Sequence, residues 1–260
     1  MLKLAITGKG GVGKTTLAAL LAHVFSERGQ KVLAIDADPA MGLASAAGVP
    51  LAQAMAITPV AEMEDLIYER TGARKGEIGG FFKLNPRVDD IPERFAVEQD
   101  GIRILTMGTV SSGGTGCLCP ENALLRSLVT HLLLRRDEVL ILDMEAGVEH
   151  LGRGTAGAVD AFIVVVEPGS RAIQTAHTIH TLARDLGIKR VYAVGNKVMS
   201  GSDADFIAEQ MPGFEILGFL PSDARAMEAD RKGVAVFEMA PELVERARGI
   251  ADRLASVDEE

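Results

Sequence analysis

The sequence predicts an α/β three-layer sandwich, in which a mostly parallel central sheet of about seven or eight strands is flanked by helices. Short runs of apolar and β-branched residues recur along the chain, several of them apolar nearly throughout, and helical patterns lie between them. Strands that are apolar on both faces are typical of a sheet covered on both sides. The alternation of strands and helices implies parallel strands joined by right-handed crossovers.

The predicted elements follow the chain in order. The strands are residues 2–7, 31–36, 102–107, 138–143, 161–167, 190–196 and 214–221. The helices are residues 15–28, 120–136, 172–186 and 242–255. Residues 45–100, rich in Met, Gly and Pro, fit least well, and we expect an excursion of helices and loops there. Because no linker or internal repeat is visible, residues 1–260 are expected to form one domain.

Composition excludes several classes of protein. Hydrophobic residues make up 47% and charged residues 24% of the chain, which indicates a globular protein. The net charge of -9 disfavours a nucleic-acid-binding surface, and the acidic tail is a poor membrane helix. No apolar run approaches the length of a membrane span, and glycines interrupt the start too early for a signal peptide. We therefore expect a cytoplasmic protein that binds neither nucleic acid nor membrane.

The strongest motif is GKGGVGKT at residues 8–15, directly after a strand and directly before a helix. It matches G-x-x-x-x-G-K-[ST], the P-loop of nucleotide-binding proteins, whose backbone N–H groups surround phosphates. Lys14 is expected to reach the β and γ phosphates of ATP or ADP, and the Thr15 hydroxyl to bind Mg²⁺. The predicted contacts are Gly8, Lys9, Gly10, Gly11, Val12, Gly13, Lys14, Thr15 and Thr16.

Carboxylates follow two of the predicted strands. Asp36 and Asp38 end the second strand, and Asp143 ends the apolar run LILD. Ligands of such sheets gather at the carboxyl ends of strands, so these side chains are expected near the phosphates. Asp143 has the Walker B pattern that holds Mg²⁺ in the second shell. The alternative for Asp36 and Asp38 is a role as a helix cap or in a turn.

Polar residues, a proline and a glycine lie at or after the ends of other predicted strands. Asn196 and Lys197 end RVYAVGNK, where an amide can read the donor and acceptor edge of adenine; the alternative is an ordinary turn. Pro221 follows the last strand and is expected to line the base pocket. Gly147 follows Asp143 and is expected to approach the γ-phosphate closely.

Cys117 and Cys119 are the two cysteines of the chain, separated by one leucine. Pro120 suits the first position of a helix, so Cys119 is expected at a helix N-terminus, where thiolate is favoured. Two thiolates do not complete a four-coordinate site, but a C-x-C from each of two subunits does. Zn²⁺, Ni²⁺ or a [4Fe–4S] cluster fits four thiolates, and inert buried cysteines are the alternative.

The second lysine of the loop, Lys9, makes GKGGVGKT similar to the deviant Walker A motif of the MinD/ParA/NifH class of dimerising ATPases. The resemblance implies that Lys9 crosses to the nucleotide of the partner subunit and that Asp38 positions or activates the attacking water. It assigns Lys9, Lys14 and Asp38 to catalysis, and adenine recognition to Asn196. Asp36 would then support Mg²⁺ through water.

GCLCPENALLR, DMEAGVEHLGRGT and GNKV make the sequence resemble the CooC-type ATPases, which support nickel insertion into carbon monoxide dehydrogenase. This resemblance spans nearly the whole chain. It implies a homodimer that holds Ni²⁺, with Zn²⁺ as an alternative, between the cysteine pairs, and the apo-dehydrogenase as partner. Two alternatives stay open: a positioning or partition ATPase of the MinD/ParA kind, and an electron-transfer ATPase with a bridging iron–sulfur cluster. In the nitrogenase iron protein, the example of the latter, the cluster cysteines are far apart in sequence.

Overall fold

The structure, a computed structural model, describes residues 2–74, 81–108, 119–135, 138–147, 151, 155 and 157–256. Within these residues, eight strands form one sheet in the order β3-β4-β2-β5-β1-β6-β7-β8, and only β3 runs antiparallel to its neighbour. The strands are β1 (Lys3–Thr7), β2 (Val32–Ala37), β3 (Val97–Gln99), β4 (Ile102–Thr106), β5 (Val139–Met144), β6 (Ala161–Val166), β7 (Val191–Val198) and β8 (Glu215–Pro221). The predicted fold class is confirmed.

Helices flank this sheet. The described helices are α1 (Lys14–Glu27), α2 (Leu43–Ala46), α3 (Leu51–Ala54), α4 (Glu64–Thr71), α5 (Ile91–Phe95), α6 (Pro120–Arg135), α7 (Ser170–Asp185), α8 (Gly201–Gln210), α9 (Ala224–Lys232), α10 (Val236–Met239) and α11 (Pro241–Ser256), with a 3₁₀ turn at Val60–Glu62. Every residue of β2, β5 and β6 is buried, as expected for central parallel strands covered on both faces. The core is continuous and mostly aliphatic, with a few buried aromatic side chains such as Phe162 of β6.

Strand register brings the polar strand ends together. Asp36 on β2 lies directly opposite Asp143 on β5, and Asp143 lies opposite Ile6 on β1. On the other side of β1, Thr7 lies opposite Val164 of β6. Because β2, β5, β1, β6 and β7 are consecutive parallel neighbours, the segments that leave their carboxyl ends share one edge of the sheet.

The excursion at residues 45–100 contains one element that the sequence pattern did not predict. Its short helices lead to β3, a three-residue strand on the sheet edge whose pairing with β4 is antiparallel. A strand this short shows too little alternation to be recognised. The helices α8, α9 and α10 were also not predicted.

The C-terminal helix α11 is amphipathic, and its apolar face is used inside the fold. It packs against α1 and β8, and its buried side chains are Leu243, Val244, Ala247, Ile250, Ala251 and Leu254. In the described part of the chain, no helix is both long and apolar enough to cross a bilayer.

Candidate functional site: a P-loop at the carboxyl edge of the sheet

The P-loop connects β1 to α1. Gly13 adopts the left-handed conformation with φ 95° and precedes the first residue of α1, so no side chain caps this helix. The first backbone N–H groups of α1 are therefore directed toward the loop, where the helix dipole favours an anion. Val12 is buried and anchors the loop in the core, whereas Gly10 and Gly11 have open space around their Cα atoms. Thr16 lies half-buried in the first turn.

Glycine is required at two positions of this loop by close approach as well as by conformation. A Cβ atom on Gly8, where φ is 147°, would lie 2.4 Å from the carbonyl oxygen of Val165. A Cβ atom on Gly13 would lie 2.1 Å from Nδ2 of Asn196. Both distances are shorter than real Cβ contacts, so the loop keeps its shape only without these side chains.

Lys14 and Asp38 form an ion pair at the mouth of the loop. Nζ of Lys14 lies 3.1 Å from Oδ2 of Asp38, and the two side chains are only 7% and 16% exposed. A lysine this buried needs a charge partner, and Asp38 supplies it. Oδ1 of Asp38 also accepts a hydrogen bond from the backbone N–H of Ala40 at 3.0 Å. Lys14, predicted to bind the phosphates, and Asp38, predicted to position the attacking water, are therefore in contact.

The Asp36 carboxylate is buried and hydrogen-bonded to the backbone that follows β2. Its carboxylate accepts hydrogen bonds from the backbone N–H groups of Asp38, at 3.2 Å, and Leu43, at 2.9 Å. Burial raises the pKa of this carboxyl to about 6, although these hydrogen bonds act in the opposite direction. Asp36 therefore fixes the turn that carries Asp38. Its predicted support of Mg²⁺ through water remains a prediction.

Thr15 and Asp143 form the oxygen-rich part of the site. The Thr15 hydroxyl donates to Oδ2 of Asp143 at 2.7 Å. Oδ1 of Asp143 is buried and has no hydrogen-bond partner among the described residues. An orphaned buried carboxylate oxygen beside a hydroxyl matches the hard oxygen ligands of Mg²⁺, with Thr15 as the direct ligand and Asp143 behind it. The residues present thus fit the ion that the predicted P-loop chemistry requires.

The stability of the nucleotide-free protein is expected to depend on pH through Asp143. Burial raises the pKa of Asp143 from 3.8 to about 7. The folded chain therefore binds more protons than the unfolded chain between these values, and its stability falls as pH rises through that interval. We expect Asp143→Asn to raise the free energy of unfolding at pH 8 by roughly 1–3 kcal/mol and to change it little at pH 5.

Urea unfolding without nucleotide or metal at both pH values measures this effect. Asp185→Asn, which neutralises an exposed carboxylate at the end of α7, is the matched control and should have little effect at either pH. A lower stability of Asp143→Asn at pH 8 would contradict the assignment of Asp143 as a buried, destabilising charge.

Asn196 and Lys197 contact the P-loop from β7. Nδ2 of Asn196 donates to the carbonyl oxygen of Val12 at 2.7 Å, and its Oδ1 accepts from the backbone N–H of Lys197 at 2.8 Å. Nζ of Lys197 donates to the carbonyl oxygen of Gly11 at 2.5 Å. Lys197 has a φ of 57°, which is uncommon for a residue with a side chain and indicates a constrained backbone. Both residues thus brace the loop in this structure, while adenine recognition by Asn196 remains a prediction.

Two residues of the site were missed by the sequence reasoning. Thr7, the last residue of β1, has its hydroxyl 2.7 Å from the carbonyl oxygen of Glu145 and accepts from the N–H of Gly147 at 3.2 Å. Glu167 follows β6 and pairs with Lys9 at 3.4 Å and with Lys197 at 3.2 Å. Glu167 ends an apolar strand in a carboxylate, the same signal that identified Asp36 and Asp143.

The remaining predicted contacts are near these groups. Thr7 holds the start of the segment after β5, where Gly147 lies; most of residues 148–156 are outside the described part of the chain. Pro221 is the last residue of β8 and lies in register with Val198, so it shares the sheet edge with Asn196. Its contact with a base is still a prediction.

The cysteine pair is described only at Cys119. This residue directly precedes α6, and its carbonyl oxygen accepts from the N–H of Ala123 at 3.0 Å, so its half-buried thiol lies at the helix N-terminus as expected. Glu121, in the first turn, is buried. Cys117 lies outside the described residues. In the part of the chain that is described, no group of three or more His, Cys, Asp or Glu residues is arranged to hold a metal ion.

Comparison with known proteins places this geometry in a family. Residues 3–236 match the family described as the CobQ/CobB/MinD/ParA nucleotide binding domain. The chain is 49% identical over 249 residues to the carbon monoxide dehydrogenase accessory protein CooC of Rhodospirillum rubrum, covering 96% of this chain and 94% of that protein. It is 45% identical to an uncharacterized ATP-binding protein of Methanocaldococcus jannaschii, covering 89% and 90%.

Solved structures show the same fold. A chain of the MinC:MinD cell division protein complex of Aquifex aeolicus superimposes with a TM-score of 0.69 at 19% identity, covering 98% of this chain and 96% of that one. MinD of Pyrococcus horikoshii, solved with Mg-ADP, gives a TM-score of 0.65 at 18% identity, with coverage of 98% and 96%. At these identities the likeness concerns the fold alone.

Proposed function

Because the chain belongs to the CobQ/CobB/MinD/ParA nucleotide-binding family, we propose that it is a Mg²⁺-dependent ATPase that dimerises to insert nickel into apo-carbon monoxide dehydrogenase. The observation that carries this proposal is the full-length similarity to a carbon monoxide dehydrogenase accessory protein. The P-loop geometry supports ATP chemistry, and the position of Cys119 at a helix N-terminus supports a metal-binding thiolate.

ATP binding changes the partner of Lys14. In the structure, the carboxylate of Asp38 lies 3.1 Å from Nζ of Lys14 and neutralises it. The β and γ phosphates bring more negative charge to the same ammonium group, so they displace Asp38 from it. The released carboxylate then lies beside the terminal phosphate, where it can accept a hydrogen bond from the attacking water. The pair therefore couples phosphate binding to placement of the catalytic carboxylate.

Mg²⁺ would be held by the Thr15 hydroxyl and by Asp143 through water, and when bound it neutralises charge on the phosphates. The protein orients the side chains that would hold the ion. Register between β2 and β5 fixes Asp36 against Asp143, and the Thr15–Asp143 hydrogen bond sets the hydroxyl at the start of α1. The N-terminal N–H groups of α1 and the ammonium group of Lys14 bind the phosphates.

The second half of the function requires two subunits. Lys9 crosses to the nucleotide of the partner, so ATP brings the C-x-C segments of two chains together. Cys117 and Cys119 of each subunit then supply four thiolates for one nickel ion, which is the cargo. Hydrolysis separates the subunits and passes the ion to the dehydrogenase.

A positioning or partition ATPase is the second candidate, favoured by the fold of the MinD structures. The apolar face of α11 already packs on α1 and β8. This packing disfavours a positioning ATPase that binds a membrane through α11. The net charge of -9 speaks against a general DNA-binding surface.

ATP-dependent dimerisation tests the proposal. We expect the wild-type chain to form dimers with a non-hydrolysable ATP analogue, measured by sedimentation velocity, and Lys9→Ala to remain monomeric while binding the analogue with an affinity within about threefold, since Lys9 contacts the other nucleotide.

Lys189→Ala, which removes an exposed lysine from the loop before β7, is the matched control and should dimerise like the wild type. Dimers of Lys9→Ala as stable as those of the wild type would show that Lys9 has no role across the interface.

A further inference from the structure

Glu167 lies between two lysines beside the P-loop. One carboxylate oxygen, Oε1, is 3.4 Å from Nζ of Lys9, and the other, Oε2, is 3.2 Å from Nζ of Lys197. Nζ of Lys197 also donates to the carbonyl oxygen of Gly11. Because β6 is the parallel neighbour of β1, the residue after β6 is placed beside the loop that follows β1. Glu167 therefore holds Lys9 and Lys197 on the same side of the P-loop.

The pair with Lys9 is weak enough to exchange. The side chains of Lys9 and Glu167 are 36% and 27% exposed, whereas Lys14 and Asp38 are only 7% and 16% exposed. Water screens a half-exposed ion pair, so its contribution to an equilibrium is up to about fivefold. Lys9 can therefore exchange Glu167 for the more highly charged phosphates of a nucleotide. Breaking the ion pair with Glu167 still requires a small free energy.

Departure of Lys9 does not leave Glu167 unpaired. Lys197 keeps its contact with Oε2, and it is held in place by Gly11 and by the constrained backbone at φ 57°. The exchange thus breaks one ion pair and leaves no isolated carboxylate near the phosphates, which would repel the nucleotide. This arrangement suits a contact that must open and close repeatedly.

We propose that Glu167 is a positioning residue that holds Lys9 within its own subunit and releases it only to the nucleotide of a second subunit. This inference rests on the proposed function, in which Lys9 crosses the dimer interface. Each dimer requires two Lys9–Glu167 pairs to open, so the pairs oppose dimerisation and keep the lysine in its own subunit until ATP is present on both subunits. Glu167 thereby sets the concentration at which dimers form.

The test is the dimer dissociation constant at a saturating concentration of a non-hydrolysable ATP analogue, measured by sedimentation velocity. Saturation removes any contribution from nucleotide affinity. We expect Glu167→Gln to lower this constant roughly three- to tenfold, because two opposing ion pairs are lost per dimer. Glu167→Asp keeps the charge on a shorter side chain, so its dimer dissociation constant should lie between those of the wild type and Glu167→Gln.

Glu98→Gln is the matched control, since it neutralises an exposed glutamate on β3, at the far edge of the sheet; its dissociation constant should equal that of the wild type. An unchanged constant for Glu167→Gln would overturn the proposal, and a weaker dimer would instead assign Glu167 to contacts that stabilise the dimer.

Failure of the inference and failure of the proposed function give different results. A wild-type chain that stays monomeric with the ATP analogue would remove the dimerising function and this inference with it. A wild-type chain that dimerises, with Glu167→Gln indistinguishable from it, would leave the function intact and remove only the role of Glu167. Thermal unfolding of each variant verifies that it is folded before the comparison is made.

Discussion

Asp38→Ala is expected to lower the rate constant of ATP hydrolysis by roughly 10²- to 10⁴-fold while leaving ATP binding intact. Asp38 lies 3.1 Å from Nζ of Lys14, the ammonium group that we propose binds the β and γ phosphates. Once the phosphates take Lys14, Asp38 is the carboxylate that can orient water. ATP affinity should be equal or higher, because the variant removes the internal competitor for Lys14.

Single-turnover hydrolysis and equilibrium binding of an ATP analogue measure the two effects separately. Asp38 also accepts from the N–H of Ala40, so Asp38→Asn, which keeps that contact, distinguishes loss of the carboxylate from loss of the turn. Asp185→Ala, on the exposed end of α7, is the matched control. Hydrolysis within about tenfold of the wild type in Asp38→Asn would show that another group positions the water.

Much of the fold could be predicted because its signals are local. Central strands such as β5 and β6 are apolar throughout, and a glycine-rich loop between a strand and a helix has few other interpretations. The edge strand β3 was missed because three residues carry no usable periodicity. The strand order follows from long-range packing, which no local pattern contains.

The site was predicted less completely, for a physical reason. Carboxylates such as Asp36 and Asp143 could be assigned to the carboxyl edge of the sheet because the ends of parallel strands meet there. The partners of each side chain could not be assigned. Asn196 donates to Val12 across 184 positions of the chain, and Lys9 pairs with Glu167 across 158. Such pairs depend on strand order and register, which bring distant residues into contact.

The structure gives the two lysines of the P-loop different carboxylate partners. The family resemblance assigns Lys9 to the nucleotide of the partner and Lys14 to that of its own subunit. In the single subunit, each lysine is neutralised by a carboxylate of the same chain, Lys14 by Asp38 and Lys9 by Glu167. In the proposed function, nucleotide binding would therefore exchange ion pairs that the chain itself supplies.

The cysteine pair before α6 is the most specific part of the proposed function. Cys119 lies at the N-terminus of α6, where the positive end of the helix dipole favours a thiolate, the metal-binding form. Each chain supplies one C-x-C, so a four-coordinate site requires two chains. Replacing both cysteines should thus abolish nickel binding while leaving the P-loop, and ATP hydrolysis, unaffected.

Anaerobic equilibrium dialysis with Ni²⁺, combined with the oligomeric mass in the presence of an ATP analogue, tests this claim most directly. For the wild type we expect tight binding of about one nickel ion per dimer. For the Cys117→Ala/Cys119→Ala double variant we expect that binding to be lost, with ATP hydrolysis retained. Unchanged nickel binding in the double variant would contradict the account, because the metal would then be held elsewhere and the cysteine pair would not be its site.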